Sequence, residues 1–295
     1  MTDAPDTGGL RPWAELLRLP NLFTVPGEAL AGYVLAVGKL RGEVGWACLV
    51  VLLIYIGGLL LNDWFDRAED AEERPERPIP SGRVRAAAAR NVGFAALAAG
   101  VAVAWIAGQA PSGTVASVTA LLALAYDGWL KKTALGPGVM GLCRAGAVMV
   151  GAAFAGHLGI AVVVAAVTIF GYTAMLTYVA REETTGEPAS RDVWALPVVL
   201  ASGGVALVLR VGVSTIGMVA LALAVLESAW VARAMRSGRL RVPPGIGRLV
   251  RVMIMVQAAW AFWPWHPAPT LAVLAALFVA LRAGAEVAGR AFYGS

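Results

Sequence analysis

Long apolar stretches, separated by short polar or basic connections, run through almost the whole of this 295-residue chain. Each stretch has about the length that a helix needs to cross a lipid bilayer, roughly 20 residues. Ten of them are readable, near residues 22–38, 44–62, 87–107, 112–127, 138–156, 160–180, 193–210, 213–232, 247–264 and 268–285. The pattern predicts an all-α integral membrane protein, a polytopic bundle of nine or ten transmembrane helices. Nine is the alternative because the last stretch follows two prolines, Pro264 and Pro267, and a re-entrant or interfacial helix would also accommodate it.

Composition supports a membrane protein and excludes some other classes. Hydrophobic residues make up 59% of the chain and charged residues 15%, and the mean hydropathy is +0.71, which is too apolar for an ordinary soluble domain. A net charge of +5 could indicate a nucleic-acid partner. We predict none, because the basic residues lie in short clusters between the apolar stretches. The two cysteines, Cys48 and Cys143, lie inside apolar stretches and predict no disulfide framework.

The basic residues also predict how the bundle is oriented. With a cytoplasmic N-terminus, only Lys39, Arg41 and Arg210 fall on the outer side, as the positive-inside rule requires. The basic run from Arg233 to Arg251 is interpreted as part of this topology signal. We therefore predict a multi-pass protein of the cell (inner) membrane, in contact with membrane lipid.

The domain organisation is simple. Residues 1–20 contain Trp13 and Leu16 together with Arg11 and Arg18, which predicts an amphipathic or flexible lead-in at the membrane surface. No separate soluble domain and no internal repeat is evident, so residues 1–295 are predicted to form a single domain.

The most informative polar stretch runs from Asn62 to Asp70, at the end of the second apolar stretch. On a helix, Asn62, Asp66 and Asp70 fall at positions i, i+4 and i+8, and Asp63 lies one turn before Asp66, so all four share one face. Clustered carboxylates repel one another unless a cation lies between them. Hard oxygen ligands, completed by phosphate oxygens, are how proteins hold magnesium. The stretch therefore predicts a site for Mg²⁺ and a diphosphate, with a solvated acidic helix end as the alternative.

The residues that follow carry a resemblance. The acidic stretch and the tail Arg74-Pro75-Glu76-Arg77-Pro78-Ile79-Pro80-Ser81-Gly82-Arg83 together resemble the first aspartate-rich motif of the UbiA superfamily of intramembrane prenyltransferases. That motif carries the same kind of Arg-Pro-x-Arg-Pro-Ile-Pro-Ser-Gly tail. The resemblance implies one UbiA-like domain whose helices surround a central cavity, with the active site toward the cytoplasm.

Weaker landmarks extend the resemblance along the chain. Leu19-Pro20-Asn21-Leu22-Phe23-Thr24 resembles the family's N-terminal signature, which implies that Asn21 lies near the active cavity. The segment from Tyr126 to Lys132 is similar to a family segment in which a tyrosine lines the cavity and a basic residue meets the diphosphate. This implies those roles for Tyr126 and Lys131. Without the resemblance they would be an interface aromatic and a topological charge.

The sixth apolar stretch ends in a second acidic segment, from Tyr178 to Glu187. Its position matches the family's second motif, Asp-x-x-x-Asp, and Glu183 and Glu187 keep the i, i+4 spacing with glutamates in place of aspartates. The Arg-Glu-Glu form that begins at Arg181 is similar to the Ebo-cluster (EboC-like) branch of the superfamily. A longer carboxylate can still bind Mg²⁺, directly or through water.

Two of the charged residues inside predicted spans are candidates for the site, because a charge there must face a polar cavity or a partner. Arg144, in the fifth stretch, is predicted to contact the diphosphate. Glu28, in the first, is equally compatible with a functional role and with a structural hydrogen-bond partner. Arg67 and Arg77 lie beside the carboxylates, and their guanidinium groups suit phosphate oxygens, a topological role being the alternative.

These observations and the resemblance lead to one functional hypothesis. We predict an enzyme, a Mg²⁺-dependent prenyltransferase that ionises an isoprenyl diphosphate donor and transfers the prenyl group to an unidentified acceptor that is aromatic, a lipid or a polyol. Asp63, Asp66 and Asp70 are the predicted catalytic carboxylates, and the predicted metal ligands are Asn62, Asp66, Asp70, Glu183 and Glu187. The predicted substrate contacts are Asn21, Asn62, Arg67, Arg77, Tyr126, Lys131, Arg144, Tyr178 and Arg181. The alternatives are a membrane terpene cyclase that uses the same diphosphate chemistry and a non-catalytic carrier or assembly partner with the same fold.

Overall fold

A computed structural model describes residues 9–181 and 191–293, and every regular element in these two ranges is a helix. The helices are α1 (Leu10–Leu16), α2 (Leu19–Leu22), α3 (Pro26–Val37), α4 (Glu43–Phe65), α5 (Arg67–Glu73), α6 (Ala86–Ala107), α7 (Ala110–Ala125), α8 (Gly136–Phe154), α9 (Ile160–Ala180), α10 (Ala195–Val211), α11 (Thr215–Arg236), α12 (Val242–Ala261) and α13 (Ala268–Tyr293). A π-helical turn, Tyr126–Leu130, continues α7, and a 3₁₀ turn, Arg191–Trp194, precedes α10. The predicted all-α fold class is confirmed.

Each of the ten predicted stretches is a helix, and in the described ranges eight helices are long and apolar enough to cross a membrane. The two that do not reach this standard are α3 and α12. Helix α3 has only 12 residues, and α12 carries two arginines, two prolines and a glutamine among its 20 residues. The last stretch, for which a re-entrant segment was the alternative, forms the 26-residue helix α13.

Helices α3 and α8 lie in the middle of the bundle and contribute to two separate groups of buried apolar side chains. On one side, Ala29 of α3 and Val150 of α8 pack with residues of α4, α6 and α7. On the other, Ala31 of α3 and Val148 of α8 pack with α9 to α12. The two halves of the bundle therefore meet along these two helices.

Glycine makes the close approach of α3 and α8 possible. A Cβ atom added at Gly151 would collide with the carbonyl oxygen of Ala29, and one at Gly32 with that of Val148. The backbones are thus in direct contact, which is typical of membrane helices, where close packing takes the place of a hydrophobic driving force between helices. The same applies to α4 and α6, where a Cβ at Gly57 would lie 2.9 Å from the carbonyl oxygen of Gly93.

The lead-in predicted for residues 1–20 contains the helix α1, which packs against the protein. Leu16 is only 1% exposed and lies in a group with Leu60 of α4 and with Ile79 and Val84 of the proline-rich tail. Leu10, at the other end of α1, is exposed. This contact holds the N-terminal segment and the tail together at the end of α4 where the acidic stretch begins.

The glycine contact between α3 and α8 gives a stability prediction. Replacing Gly151 by Ala forces a methyl group against the Ala29 carbonyl oxygen, so we expect a loss of about 1–3 kcal/mol, the usual cost of overpacking. The matched control is Gly138→Ala on the same helix, where nothing lies within 4 Å of the added Cβ. Thermal unfolding of both purified variants in one detergent would check this, and equal melting temperatures would contradict the packing argument.

Candidate functional site

The four polar residues of the acidic stretch stay on one helical face although α4 ends before Asp66. The N–H of Asp66 donates to the carbonyl oxygen of Asn62 at 3.0 Å, and the N–H of Asp70 donates to that of Asp66 at 2.9 Å. These bonds carry the i, i+4 register across the junction between α4 and α5. Asp63 and Asp70 are buried, and Asn62 and Asp66 are partly exposed. The arrangement on one face is as the spacing predicts.

Each of the three aspartates is paired with a cation from a different part of the chain. Arg18, just before α2, lies 3.3 Å from Asp63, and Lys131, after the π-helical turn, contacts Asp66. Arg77, in the proline-rich tail, donates to both carboxylate oxygens of Asp70, at 2.7 and 2.8 Å. Bidentate charged pairs of this kind are the stronger and more directional ones.

Lys131 and Lys132 have different partners in the structure. Because the two lysines are adjacent, the sequence alone does not show which of them reaches the acidic cluster. The ammonium of Lys131 contacts Asp66 and donates to the side-chain oxygen of Asn62 at 3.3 Å. Lys132 bonds Glu69 on the exposed side of α5, and this hydrogen bond holds the pKa of the Glu69 carboxyl below its usual range. Lys131 is therefore the lysine at the acidic cluster, as the resemblance implies.

The π-helical turn after α7 positions Lys131. The N–H of Lys131 donates to the carbonyl oxygen of Tyr126 at 2.9 Å, one residue further back than in an α-helix. Such π-bulges occur frequently at functional sites. Arg181 fixes the turn from α9 by donating to the carbonyl oxygens of Lys131 and Thr133, at 2.6 and 2.8 Å. In the structure Arg181, a predicted substrate contact, thus holds the backbone that carries Lys131.

A cavity of about 190 Å³ extends from the acidic cluster into the bundle, between α4, α7, α8 and the segment before α3. Arg18, Asn62 and Asp127 line it near the cluster, and Glu28 and Arg144 line its far end. The wall between them is largely apolar and includes Val51, Ile54, Leu59, Met140 and Ala147, together with the rings of Tyr55 and Tyr126.

Arg144 and Glu28 form a buried ion pair at the far end. The Nε of Arg144 lies 2.9 Å from a carboxylate oxygen of Glu28, and its Nη2 donates to the hydroxyl of Thr24 at 3.0 Å. Its guanidinium also lies 5.8 Å from the ring of Tyr55, two helical turns along α4 from Asn62. The structure therefore places Arg144 with Glu28 and away from the acidic cluster.

Other predicted site residues lie outside the cluster. Arg67 is exposed, and it donates to the carbonyl oxygen of Trp64 and stacks on that ring. Tyr178 is exposed on α9, and Asn21, on α2, is not among the residues that line the cavity. The predicted ligands Glu183 and Glu187 fall in residues 182–190, outside the described ranges.

Two residues at the site were missed by the sequence analysis. Arg18 pairs with Asp63 and lines the cavity, and its backbone adopts a left-handed conformation with φ +44°, a strained state that clusters at functional sites. No sequence pattern indicates that conformation. Asp127 is buried and lines the cavity. An acidic residue at the end of a span was a readable signal, obscured by the lysines beside it.

The donor set suits a hard divalent cation, although its carboxylates are engaged by arginine and lysine. Within residues 9–181 and 191–293, no three acidic, histidine or cysteine side chains converge closely enough to hold a metal ion. The oxygens of Asn62, Asp66 and Asp70 nevertheless share one helical face, and oxygen is the ligand atom that Mg²⁺ prefers. Binding such an ion here requires that the carboxylates exchange their present cationic partners.

Comparisons with known proteins agree on one family. The sequence profile of the UbiA prenyltransferase family matches residues 27–288. A protein from Methanoregula boonei named digeranylgeranylglyceryl phosphate synthase is 30% identical over 217 residues, which cover 72% of this chain and 73% of that protein. One of the same name from Ignicoccus hospitalis is 37% identical over 129 residues, 44% of this chain and only 42% of its own length.

The fold has relatives among solved structures. A UbiA homolog from Archaeoglobus fulgidus, solved bound to DMAPP and Mg²⁺, superimposes with a TM-score of 0.55 at 13% identity and covers 94% of this chain and 98% of that one. At this identity the likeness supports the predicted fold alone. The predicted family is confirmed by the profile match over residues 27–288.

The ion pair at the far end of the cavity gives a second stability prediction. Replacing Arg144 by Met leaves the Glu28 carboxylate buried without its partner, which we expect to cost about 3–5 kcal/mol. Replacing both residues by Met should recover much of that loss, because no buried charge remains. Arg210→Met, at an exposed position on α10, is the control and should be close to neutral. Unfolding midpoints in detergent would decide, and an Arg144→Met variant as stable as the control would contradict the pairing.

Proposed function

The chain belongs to the UbiA prenyltransferase family, and on this premise we propose that it is a Mg²⁺-dependent intramembrane prenyltransferase. It would ionise an isoprenyl diphosphate and transfer the prenyl group to an acceptor. The observation that carries the proposal is the contact of Lys131 with Asn62 and Asp66, next to a largely apolar cavity that Asn62 lines. The site therefore combines oxygen ligands for a metal, a cation that can bind phosphate and an adjacent apolar cavity.

We assign the metal to the acidic face of α4 and α5. Asn62, Asp66 and Asp70 would hold it, joined by Glu183 and Glu187 of the second segment. The A. fulgidus homolog, solved with DMAPP and Mg²⁺, supports the choice of ion. A bound divalent cation supplies charge neutralisation of a leaving diphosphate, which lowers the cost of breaking the C–O bond.

The cations around the acidic cluster are assigned to the diphosphate. Lys131, Arg18 and Arg77 each neutralise one carboxylate in the structure. A diphosphate brings negative charge of its own, so these side chains can turn from carboxylate to phosphate oxygens without being left unpaired. Arginine forks suit the geometry of phosphate oxygens in particular. Arg181 would act indirectly, by fixing the turn that presents Lys131.

The cavity is assigned to the reacting end of the prenyl chain. The apolar part of its wall would limit the access of water, which would otherwise capture the allylic cation. The rings of Tyr55 and Tyr126 face this space, and aromatic faces attract cations. The acceptor oxygen or carbon would therefore meet the cation in a dry environment.

The curated relatives support a lipid acceptor of the glycerol phosphate type. The relatives from Methanoregula boonei and Ignicoccus hospitalis are both named digeranylgeranylglyceryl phosphate synthase. We propose a hydroxyl of a prenylated glycerol phosphate as the acceptor. Transfer would then form a C–O ether bond, break the C–O bond to diphosphate and release one proton from the hydroxyl.

The orientation is also part of the proposal. The basic residues that accompany the acidic cluster, among them Lys131, Lys132, Arg77 and Arg83, lie at the same end of the bundle. By the positive-inside rule, this end would face the cytoplasm of the cell membrane. Water-soluble Mg²⁺ and the diphosphate headgroup would enter from that side.

The acidic cluster gives the first test. Purified protein with isoprenyl diphosphates of ten to twenty carbons, in membrane extract, should release diphosphate only when Mg²⁺ is present. Asp66→Asn should lower the rate by about 100-fold or more, because the negative charge that would hold the metal beside the leaving diphosphate is lost. Glu72→Gln, an exposed carboxylate on α5, is the matched control and should keep the wild-type rate. No release by folded wild type with any donor would favour the non-catalytic carrier.

The acceptor gives a separate test. With geranylgeranyl diphosphate as donor, product formed on geranylgeranylglyceryl phosphate should exceed that on an aromatic acid or a non-phosphorylated polyol, as measured by mass spectrometry of the lipid extract. The physical reason is that an acceptor with its own lipid tail and phosphate can lie at the membrane interface beside the cluster. A hydrocarbon product formed without any acceptor would instead identify a membrane terpene cyclase.

A further inference from the structure

A second cavity, distinct from the one at the acidic cluster, lies where α11 and α12 are joined. Its volume is about 280 Å³, and it is lined by Arg233, Arg239 and Arg248 together with Trp230 and Ser237. It lies at the last turn of one helix and the first turns of the next. Because the helices alternate in direction, this is the end of the bundle that also carries the acidic cluster.

The three arginines of this cavity have no carboxylate partner in the described ranges. Within those ranges, the guanidinium group of Arg248 lies 5.1 Å from the ring of Trp230. Elsewhere in the bundle, arginines such as Arg77, Arg144 and Arg282 are each paired with an acidic residue. Three guanidinium groups that share a cavity repel one another, and an anion bound between them would be attracted by all three.

The acidic residue closest along the chain is already used. Glu227, one turn before Trp230 on α11, accepts a hydrogen bond from Arg282 of α13 at 2.9 Å. Arg282 also bonds Glu286 at 2.9 Å. Arg251 also interacts electrostatically with Glu227 and Glu286, so this neighbouring group holds two carboxylates and two guanidinium groups and carries no excess negative charge. An anion for the arginines of the cavity would therefore come from outside the described ranges.

The turn that carries the arginines is well defined. Gly238 adopts a left-handed conformation with φ +70°, its N–H donates to the carbonyl oxygen of Met235, and the N–H of Leu240 donates to that of Ala234 at 3.1 Å. Met235 and Val242, on either side of the turn, are buried. The backbone positions of Arg233 and Arg239 are thus fixed, which lowers the entropy cost of binding a ligand between them.

The position of the cavity indicates which anion it meets. It lies at the ends of two helices of a membrane bundle, beside Trp230, whose side chain is 56% exposed as is typical of residues at the headgroup level. Arginine binds phosphate oxygens with its planar fork, and basic pockets between membrane helices bind anionic headgroups. We propose that this cavity is a binding site for a phosphate group, supplied by an acidic phospholipid headgroup or by soluble phosphate. The proposal does not depend on prenyl transfer.

The test uses full-length protein purified in neutral detergent. Native mass spectrometry with phosphatidylglycerol or phosphatidylcholine measures retained lipid, and thermal unfolding with inorganic phosphate, in the absence of lipid, measures the soluble source. We expect phosphatidylglycerol to be retained over phosphatidylcholine, and Arg239→Gln/Arg248→Gln to weaken that retention about 30-fold, since two arginines near a membrane surface together contribute on the order of 2 kcal/mol. Stabilisation by inorganic phosphate with the same dependence on both arginines would identify a soluble ligand.

The control carries the same change in charge. Arg85→Gln/Arg241→Gln replaces two exposed arginines at the same end of the bundle that do not line the cavity, and it should bind like wild type. Equal losses in the two double variants would reduce the effect to general surface charge and overturn the site, as would the absence of both lipid retention and phosphate stabilisation in wild type. Should the first double variant aggregate, Arg239→Gln alone, at an exposed position, carries the same comparison against Arg241→Gln.

Discussion

The pairing of clustered carboxylates with cations is the interaction on which this structure depends. Asp63, Asp66 and Asp70 follow one helical face at the end of a membrane-spanning helix, where their mutual repulsion would be costly without counter-charges. The counter-charges come from the N-terminal segment, from the turn after α7 and from the proline-rich tail. One cluster of charges therefore fastens three distant parts of the chain around one end of the cavity. The groups that would bind a substrate are the same groups that hold the site together in its absence.

Close packing of the membrane helices supports the cavity next to this cluster. Helices α3 and α8 approach so closely that only glycine fits at Gly32 and Gly151, and the Glu28–Arg144 pair lies beside this contact, at the far end of the cavity. A buried ion pair contributes little net stability compared with apolar residues, but removing one partner is costly. We therefore interpret the ion pair as a contact that favours one register of α3 against α8, and not as a source of net stability. The apolar wall between this pair and the acidic cluster is what separates the two sets of charges.

Local chemistry was predictable from the sequence, and long-range pairing was not. The i, i+4 spacing from Asn62 to Asp70 predicted a shared face, and the backbone hydrogen bonds through Asp66 preserve it. The helices also follow the apolar stretches, because a helix pairs all its backbone N–H and C=O groups internally where no water is available.

By contrast, the sequence does not indicate that Arg144 pairs with Glu28, 116 positions away, because only the tertiary fold brings the two residues together. The contacts of Arg181 also depend on the tertiary fold. Its charge suggested a contact with the substrate, whereas in the structure it donates to two backbone carbonyl oxygens, one of them that of Lys131. Arg18 depends on a left-handed backbone that no residue pattern indicates.

The distribution of charge separates two kinds of arginine in this bundle. Arg18 and Arg77 beside the acidic cluster are paired with carboxylates, so under the proposed function a diphosphate would bind there by exchange, taking the cations while a metal takes the carboxylates. Exchange of this kind requires both components together, because either one alone leaves half of the groups unpaired. The arginines between α11 and α12 lack such partners in the described ranges, so an anion can bind there simply by addition. The first arrangement suits a site that must release its ligand after each reaction, and the second suits a site whose ligand stays bound.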